Sequence, residues 1–335
     1  MRTIAYSRPR TVEEAVDLLE GSGGTALPFF GGTTLLDLAK LDVLTPRRLV
    51  DLRALRADHR AIWREPDGTI TIGGLATMAE VARHPLLRAE APAIVAAVRE
   101  AASPQVRNMA SVAGNVLQRT RCPYYRDISW TCCNRRVPAS GCQAIAGVAT
   151  SHAVLGGSAA CIASYPGDLA PVLAALEARA VLMGRGGRRS VPVDGLHRPP
   201  GETPECETVL VPGDLILAFR VPHCACLRRS AFVKLRNRAA YEFAEASAMV
   251  ALDIEDGVIR DARVGLGAVA TVPWRSRAAE ATLVGMRPED AAVAAASAAF
   301  SEAITRPDTA YKVEMGKRAV IAAIHQAAAI ESAHG

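Results

Sequence analysis

The sequence predicts an α+β fold, and three observations carry that prediction. Short strand-like runs alternate with helical patterns through the first half of the chain; the alternation stops once, from 121 to about 152; and a strand-rich stretch is followed by Ala-rich helices over 276–333. At 335 residues the chain exceeds one typical domain, so several domains sharing a large buried core are expected. The formal net charge of +5 comes from scattered Arg, without the dense basic runs or interleaved aromatics of a nucleic-acid surface. No apolar run approaches the roughly 20 residues of a membrane span. The start, MRTIAYSRPRTVEEAVDLL, enters a helix pattern without the charged-then-apolar order of a signal peptide. Neither nucleic-acid binding, nor a membrane span, nor an export signal of its own is expected.

The elements follow in order. TVEEAVDLLE at 11–20 offers Thr11 as N-cap, acidic residues in the first turn and apolar residues at helical spacing, and Gly21 to Gly24 stop it. TALPFFGGTTLLDLAKLDV reads as strand, glycine turn and helix. LVDL is a short strand, and TITIGGLATMAEVARH repeats the strand, Gly-Gly, helix order. A helix over 91–102 leads into SPQVRNMASVAGNVLQ. The irregular stretch after 121 marks an inserted or functional loop. AVLGGSAACIASYPGDLAPVLAALEARAVLMG resumes with a strand and then a helix after Pro166, Gly167 and Asp168. A Gly/Pro-rich connection, 184–213, ends in a turn at Pro212-Gly213. LILAFRVP, AFVKLRN and SAMVALDIEDGVIRDARVGLGAVA then form the strand-rich unit, closed by the Ala-rich helices. Domain edges are expected near 52, 180 and 222.

Four of the eight cysteines, Cys122, Cys132, Cys133 and Cys142, fall within 21 residues of the irregular stretch, and Cys161 follows. A disulfide framework belongs to small secreted domains. Zinc usually shows paired C-x2-C knuckles, which are absent, and the short ferredoxin run is absent too. The intervals Cys122-x10-Cys133-x8-Cys142-x18-Cys161 permit an iron–sulfur cluster, a zinc site or unliganded core thiols. Cys224-Ala225-Cys226, near His223, reads as small apolar filler at a domain junction. Set in a strand, its two thiols would share one face.

Gly31-Gly32 sits between the strand PFF and the helix TTLLDL, where backbone N–H groups and the Thr33 and Thr34 hydroxyls can converge on a pyrophosphate. G-x-G-x-x-G is absent, so this is no Rossmann fingerprint. Ser111, Gly114 and Asn115 form a second small-residue loop, and Asp168 can accept from ribose hydroxyls. Two such loops and a carboxylate in one unit fit a dinucleotide; each alone is as easily structural.

FFGGTTLLDLAKL, SPQVRNMASVAGN, YPGDLAPVLAALEA, GDLILAFRVP and KLRNRAAYEFAEASAMVAL, in that order, resemble the FAD-binding medium subunit of the xanthine dehydrogenase and carbon monoxide dehydrogenase family of molybdenum hydroxylases. The resemblance covers nearly the whole chain. QRTRCPYY, the C-N-x-R run, ASGC (where the subgroup has GSGC) and ACIA are similar to the bacterial aldehyde oxidoreductases, whose flavin subunit carries an insertion binding a [4Fe–4S] cluster. Where many members have G-G-N this chain has Ala113-Gly114-Asn115, a departure shared with that subgroup.

The resemblance implies a two-part FAD-binding domain of the vanillyl-alcohol-oxidase type, 1–52 and 53–222, with an iron–sulfur insertion at about 119–161, then a smaller C-terminal α+β domain, 223–335. It places Phe30, Gly31, Gly32, Thr33, Thr34 and Leu35 around the FAD pyrophosphate, with Ser111, Gly114, Asn115 and Gln118 in the second loop. Asp168 falls on the ribose and adenosine side, Ile216 and Lys234 beside the isoalloxazine, and Lys234 is the residue expected to tune the ring. Loss of the Asp168 carboxylate is expected to lower FAD occupancy and leave the fold intact. The cluster ligands implied are Cys122, Cys133, Cys142 and Cys161. Cys133 precedes Asn134 and stands nine before the Cys of ASGC, the subgroup's spacing, so Cys132 is left a neighbouring free thiol. Arg119, Arg121, Arg126 and Arg135 are expected to offset the thiolate charge.

The implied function is that of an electron-transfer flavoprotein subunit in a heterotrimeric aldehyde oxidoreductase. A large molybdenum-cofactor subunit oxidises the aldehyde, a small subunit with two [2Fe–2S] centres relays electrons, and FAD passes them to an external acceptor. The chain would then have no aldehyde oxidation of its own, and would sit in the cytoplasm or reach the periplasm on a partner's twin-arginine signal. The rival expectation is a zinc-stabilised nucleotide-binding scaffold or regulatory module without redox activity; a flavoenzyme acting alone is a third.

Overall fold

Local sequence signals set most of the helix starts. In the computed structural model, which describes residues 3–330, Thr11 caps the helix Val12–Glu20 by accepting from Glu14 N at 3.1 Å. Thr77 and Glu80 close a reciprocal capping box on Met78–Arg83, satisfying two donors that the helix itself leaves free. Pro92 at the first position of Pro92–Glu100 loses no hydrogen bond there. The tail of the expected 276–333 helical region, 331–333, lies outside the described residues.

Three sheets organise the described residues. Ala5–Ser7, Arg48–Asp51 and Ala26–Phe29 form a parallel three-stranded sheet with Arg48–Asp51 in the middle. A five-stranded antiparallel sheet runs Ile62–Arg64, Ile70–Gly73, Leu215–Val221, Arg179–Gly184, Gly187–Pro192. The last sheet runs Trp274–Arg275, Val258–Gly267, Ala246–Glu255, Ser230–Leu235. Its long hairpin turns at Asp256 and Gly257, both at positive φ (54° and 76°), the pairing that a tight right-twisted hairpin requires. Helices Arg277–Leu283, Pro288–Ala298 and Ala310–Ala328 cover this sheet through Ala and other small residues in a continuous buried cluster.

Several expectations meet a different structure here. LILAFRVP does not belong with the later strands: Leu215–Val221 is the centre of the five-stranded sheet, paired on both sides, with Phe219 wholly buried. The edge expected near 180 falls inside the strand Arg179–Gly184, so no boundary lies there. The strand expected at the start of 153–166 is irregular chain. Its donors go to distant partners instead, Val154 and Leu155 N to Val269 O at 2.8 and 3.0 Å and Tyr165 N to Ala270 O at 2.9 Å. The condition under which the thiols of Cys224 and Cys226 would share one strand face is not met: Ala225–Leu227 is a 3-10 turn with Cys224 as its N-cap. Among the described residues no helix is long and apolar enough to cross a membrane.

Candidate functional site

The two small-residue loops meet face to face. A Cβ on Gly31 would collide with the Met109 carbonyl, and one on Gly32, at φ +68°, would press into the Phe29 ring at 2.7 Å. Glycine is therefore demanded at both positions by close approach and backbone conformation. Ser111 caps the short helix Val112–Val116 by accepting from Gly114 N at 3.1 Å. Its loop is braced by Met78 N on Ala110 O (3.0 Å) and Ala113 N on Gly74 O (3.0 Å). The other Gly-Gly pair, 73–74, is packing: a Cβ on Gly74 would strike the Ile216 carbonyl.

Between the loops runs a cleft of two lobes. Thr33, Thr34, Ala110 and Gly114 line both. The polar lobe, about 510 Å³, continues past Asn115 and Gln118 to Asp168 and Lys234. The apolar lobe, about 240 Å³, is walled by Phe30, Gly31, Gly32, Leu35, Leu44, Leu52, Leu75, Ser111 and Ile216. The structure thus brings the expected loop residues to one cleft but parts Ile216 from Lys234. Leu215–Val221 and Ser230–Leu235 belong to different sheets, and Ile216 lines the apolar lobe while Lys234 lines the polar one. Asp168, expected on the ribose and adenosine side, lines the polar lobe beside Lys234, and its Oδ2 accepts from Lys234 Nζ at 2.7 Å.

The polar lobe holds one polar atom without a partner, Asn115 Oδ1, which is buried with no hydrogen bond. Lys234 also reaches Glu100 O at 3.2 Å. Burial pushes the Asp168 carboxyl up, against the Lys234 ammonium that pulls it down. A buried acceptor left open in a lobe that also holds a buried cation suits a polar ligand entering it. These features fit FAD, whose pyrophosphate, hydroxyls and ring would lie against Thr33–Thr34, Asn115–Gln118 and Lys234.

The mouth of this lobe was missed by sequence reasoning. Arg238, Tyr241, Glu242 and Phe243 rim it, Tyr241 with φ +56°, and Arg121 lies over the Phe243 ring at 4.7 Å. Two exposed aromatics in the polar run RNRAAYEFAE were the available signal.

The insertion folds as two short helices, Pro123–Arg126 and Gln143–Ala146, joined by a tight hairpin. Cys133 and Cys142 pair as an antiparallel bridge. Asn134 N donates to Gly141 O and Gly141 N to Asn134 Oδ1, each at 2.7 Å, and Asn134 Nδ2 ties the hairpin to Ala160 O at 3.0 Å. The result is one hollow lined by Cys122, Cys133, Cys142 and Cys161, with Tyr125 and Arg135 in its wall. Cys122, Cys133 and Cys161 are buried and Cys142 half-buried; Cys132 also reaches the hollow but is solvent-exposed.

The sulfurs are electrostatically unlike. Burial pushes the Cys122 thiol up to about 11. Cys161 is pulled down to about 6, first by hydrogen bonding from Cys142 and then by Arg135, whose Nη2 stands 3.9 Å from its sulfur. The other arginines do not serve the sulfurs as expected. Arg119 donates to Glu207 at 2.8 Å, and Arg121 and Arg126 reach Asp37 at 2.9 and 3.0 Å, because those carboxylates lie closer than the hollow. Glu207, which also binds Arg135 at 3.1 Å, stays below the usual carboxylate range: burial would raise it, and its two arginines outweigh that. Among the described residues no three Cys, His, Asp or Glu side chains gather tightly enough for a single ion, which zinc at about 2.3 Å from each sulfur would need. Four thiols spaced around a hollow fit a larger group.

A family model described as the FAD binding domain in molybdopterin dehydrogenase matches residues 2–224, and one described as the CO dehydrogenase flavoprotein C-terminal domain matches 230–327. The chain is 37% identical to the aldehyde oxidoreductase FAD-binding subunit PaoB of Escherichia coli K12, over 98% of this chain and 99% of that one. It is 27% identical to the carbon monoxide dehydrogenase medium chain of Hydrogenophaga pseudoflava, over 96% of each. A solved carbon monoxide dehydrogenase structure from that organism superposes with a TM-score of 0.75 at 27% identity, covering 97% of both chains.

Proposed function

Since the chain belongs to the FAD-binding subunits of the molybdenum hydroxylase family, a family of oxidoreductases, we propose that it is the electron-exit subunit of an aldehyde-oxidising complex. It receives electrons from iron–sulfur centres of partner subunits and delivers them to an external acceptor. Bound FAD would supply two-electron acceptance and a cluster one-electron transfer.

The observation that carries this reading is the continuous cleft from Ile216 to Lys234, pinched where Gly31 meets Met109 and Ala110. The chain's residues divide the work of binding. Thr33, Thr34 and Gly114, common to both lobes, hold the pyrophosphate. Asn115, Gln118 and Asp168 face ribityl hydroxyls, Lys234 lies at the isoalloxazine end, and Ile216 with its leucines encloses the adenine. Lys234 places a buried positive charge where an electron-rich ring gains most from it. Tyr241 and Phe243 narrow the mouth against water.

The insertion is proposed to hold a [4Fe–4S] cluster on Cys122, Cys133, Cys142 and Cys161. The burial of three of these thiols and the bridge between Cys133 and Cys142 support it. Domains at 1–52, 53–222 and 223–335 are proposed because the three sheets fall one in each. The test is to purify the chain anaerobically with its genomic neighbours and to assay flavin, iron and acid-labile sulfide. Non-covalent FAD, about four irons on this chain and co-purifying molybdenum and [2Fe–2S] subunits are expected. A colourless chain, or aldehyde oxidation by the chain alone, overturns the reading.

A further inference from the structure

His152 is a buried titratable side chain that no role above uses. Its ring is part of a residue 1% exposed, its Nε2 stands 3.2 Å from Cys122 Sγ, and its Nδ1 is buried without a partner. We infer that His152 is a positioning residue for Cys122, whose Nε2–H donates to that sulfur and sets the reduction potential of the iron–sulfur group it ligates. The inference rests on the cluster reading proposed above.

Distance singles out this contact. At 3.2 Å it is shorter than the approaches of Ala163 N at 3.5 Å and Arg135 Nη2 at 3.9 Å to Cys161, and it is a side-chain contact to Cys122, which otherwise faces the backbone N–H groups of Tyr124 and Tyr125. A ligating thiolate only accepts, so the nitrogen facing it must carry the proton.

The ring is also held in place from two sides. Asp308, just before the helix Ala310–Ala328, accepts from Ala149 N at 2.6 Å, and His152 N donates back to Ala149 O at 2.8 Å. Ala153 N donates to Ile162 O at 3.0 Å, next to Cys161. Tyr124, whose hydroxyl accepts from Val148 N at 2.8 Å, lies tilted against the imidazole at 6.2 Å between centroids. Hydrogen bonds to cluster sulfurs favour the more negative, reduced state, and the fixed ring makes that effect constant.

The test compares His152→Leu, which removes the donor, with His152→Gln, which keeps an N–H, in the full-length chain. Iron, acid-labile sulfide and flavin are assayed, and a redox titration is followed by electron paramagnetic resonance. His152→Leu is expected to keep its iron and flavin while its reduction equilibrium shifts about tenfold against reduction, ~59 mV for one electron; His152→Gln stays near wild type. An unchanged potential in His152→Leu, with iron present in the wild type, overturns this inference alone. If His152→Leu loses its iron, retention by His152→Gln supports the donor role and loss from both overturns it. Wild-type chain without cluster iron overturns the cluster reading and this inference with it.

Discussion

Lys234 Nζ donates to Asp168 Oδ2 at 2.7 Å, with side chains 1% and 4% exposed, at the inner end of the polar lobe. An exposed pair at that distance would contribute under about 1 kcal/mol, whereas removing one member of a buried pair strands a charge at a cost of about 3–5 kcal/mol. Asp168 thus holds the fold as well as facing the cleft. Against the expectation that its loss leaves the fold intact, its burial beside a lysine predicts a loss of stability.

The first prediction follows from that pair. Asp168→Ala should lower the unfolding free energy by about 3–5 kcal/mol as well as emptying the FAD site. The double variant Asp168→Leu with Lys234→Met should recover most of the stability and none of the FAD. Urea denaturation read beside flavin content checks both, and a stable Asp168→Ala chain would show that Lys234 finds other compensation.

Gly31→Ala provides a second. Its Cβ would enter the Met109 carbonyl, and backbone cannot rotate away as a side chain does. The loops must part, at about 1–3 kcal/mol for the overpacking, and the junction of the lobes opens with them. The purified variant should melt lower and carry markedly less FAD than wild type. Gly23→Ala, with open space around it but φ +59°, should cost about 1 kcal/mol of strain and leave FAD bound. Equal flavin content in Gly31→Ala and wild type would remove Gly31 from the site.

What the sequence showed clearly was local chemistry. The Thr11 and Thr77 caps, the glycine loop at 31–32 and the small-residue loop at 111–115 were readable because each answers to residues within a turn of itself. Asn134 and Cys142, from which the sequence register of Cys133 was read, are also its hairpin neighbours in space. The losses are all long-range. Leu215–Val221 and Ser230–Leu235 lie eight residues apart in sequence yet enter different sheets, which is why Ile216 and Lys234 end in opposite lobes. Residues 153–166 looked like a strand because their partners, Val269 and Ala270, come more than 100 positions later. Arg119 finds Glu207 across 88 residues, and no motif announces either that pair or His152.

Lys312 gives a pH-dependent prediction. It is 1% exposed, with only the carbonyls of Ala268 at 3.0 Å and Ser151 at 3.4 Å as partners, and burial lowers its pKa from 10.5 to about 8. The folded chain therefore releases this proton near pH 8 and the unfolded chain near 10.5. Between those values the unfolded state binds more protons, so this group's contribution makes stability rise with pH across the window, by roughly 3 kcal/mol in all. Lys312→Met should be more stable than wild type at pH 7, and the difference should shrink by pH 10. Denaturation midpoints at the two pH values check it; a difference that does not change with pH would mean that Lys312 is already compensated.

The last prediction concerns two adjacent thiols. Neighbouring side chains in an extended segment point apart, so Cys132 and Cys133 cannot easily serve one cluster together, and four irons need only four thiolates. Cys133 is 8% exposed, donates its backbone N–H to Ser140 Oγ at 3.0 Å, and bridges to Cys142. Cys132 is exposed, and its sulfur has only the Thr131 hydroxyl nearby at 3.9 Å. Cys132 does touch the rim of the hollow, so exposure alone does not remove it. What separates the pair is the hairpin: Asn134 and Gly141 lock the backbone on either side of Cys133 and Cys142, fixing the inward direction of those two side chains before any metal arrives. Cys133→Ser should lose most of the cluster iron and its reduced paramagnetic signal, and Cys132→Ser should keep both. Iron retained in Cys133→Ser but lost in Cys132→Ser would move the ligand to 132 and require the hairpin to open when the cluster is built.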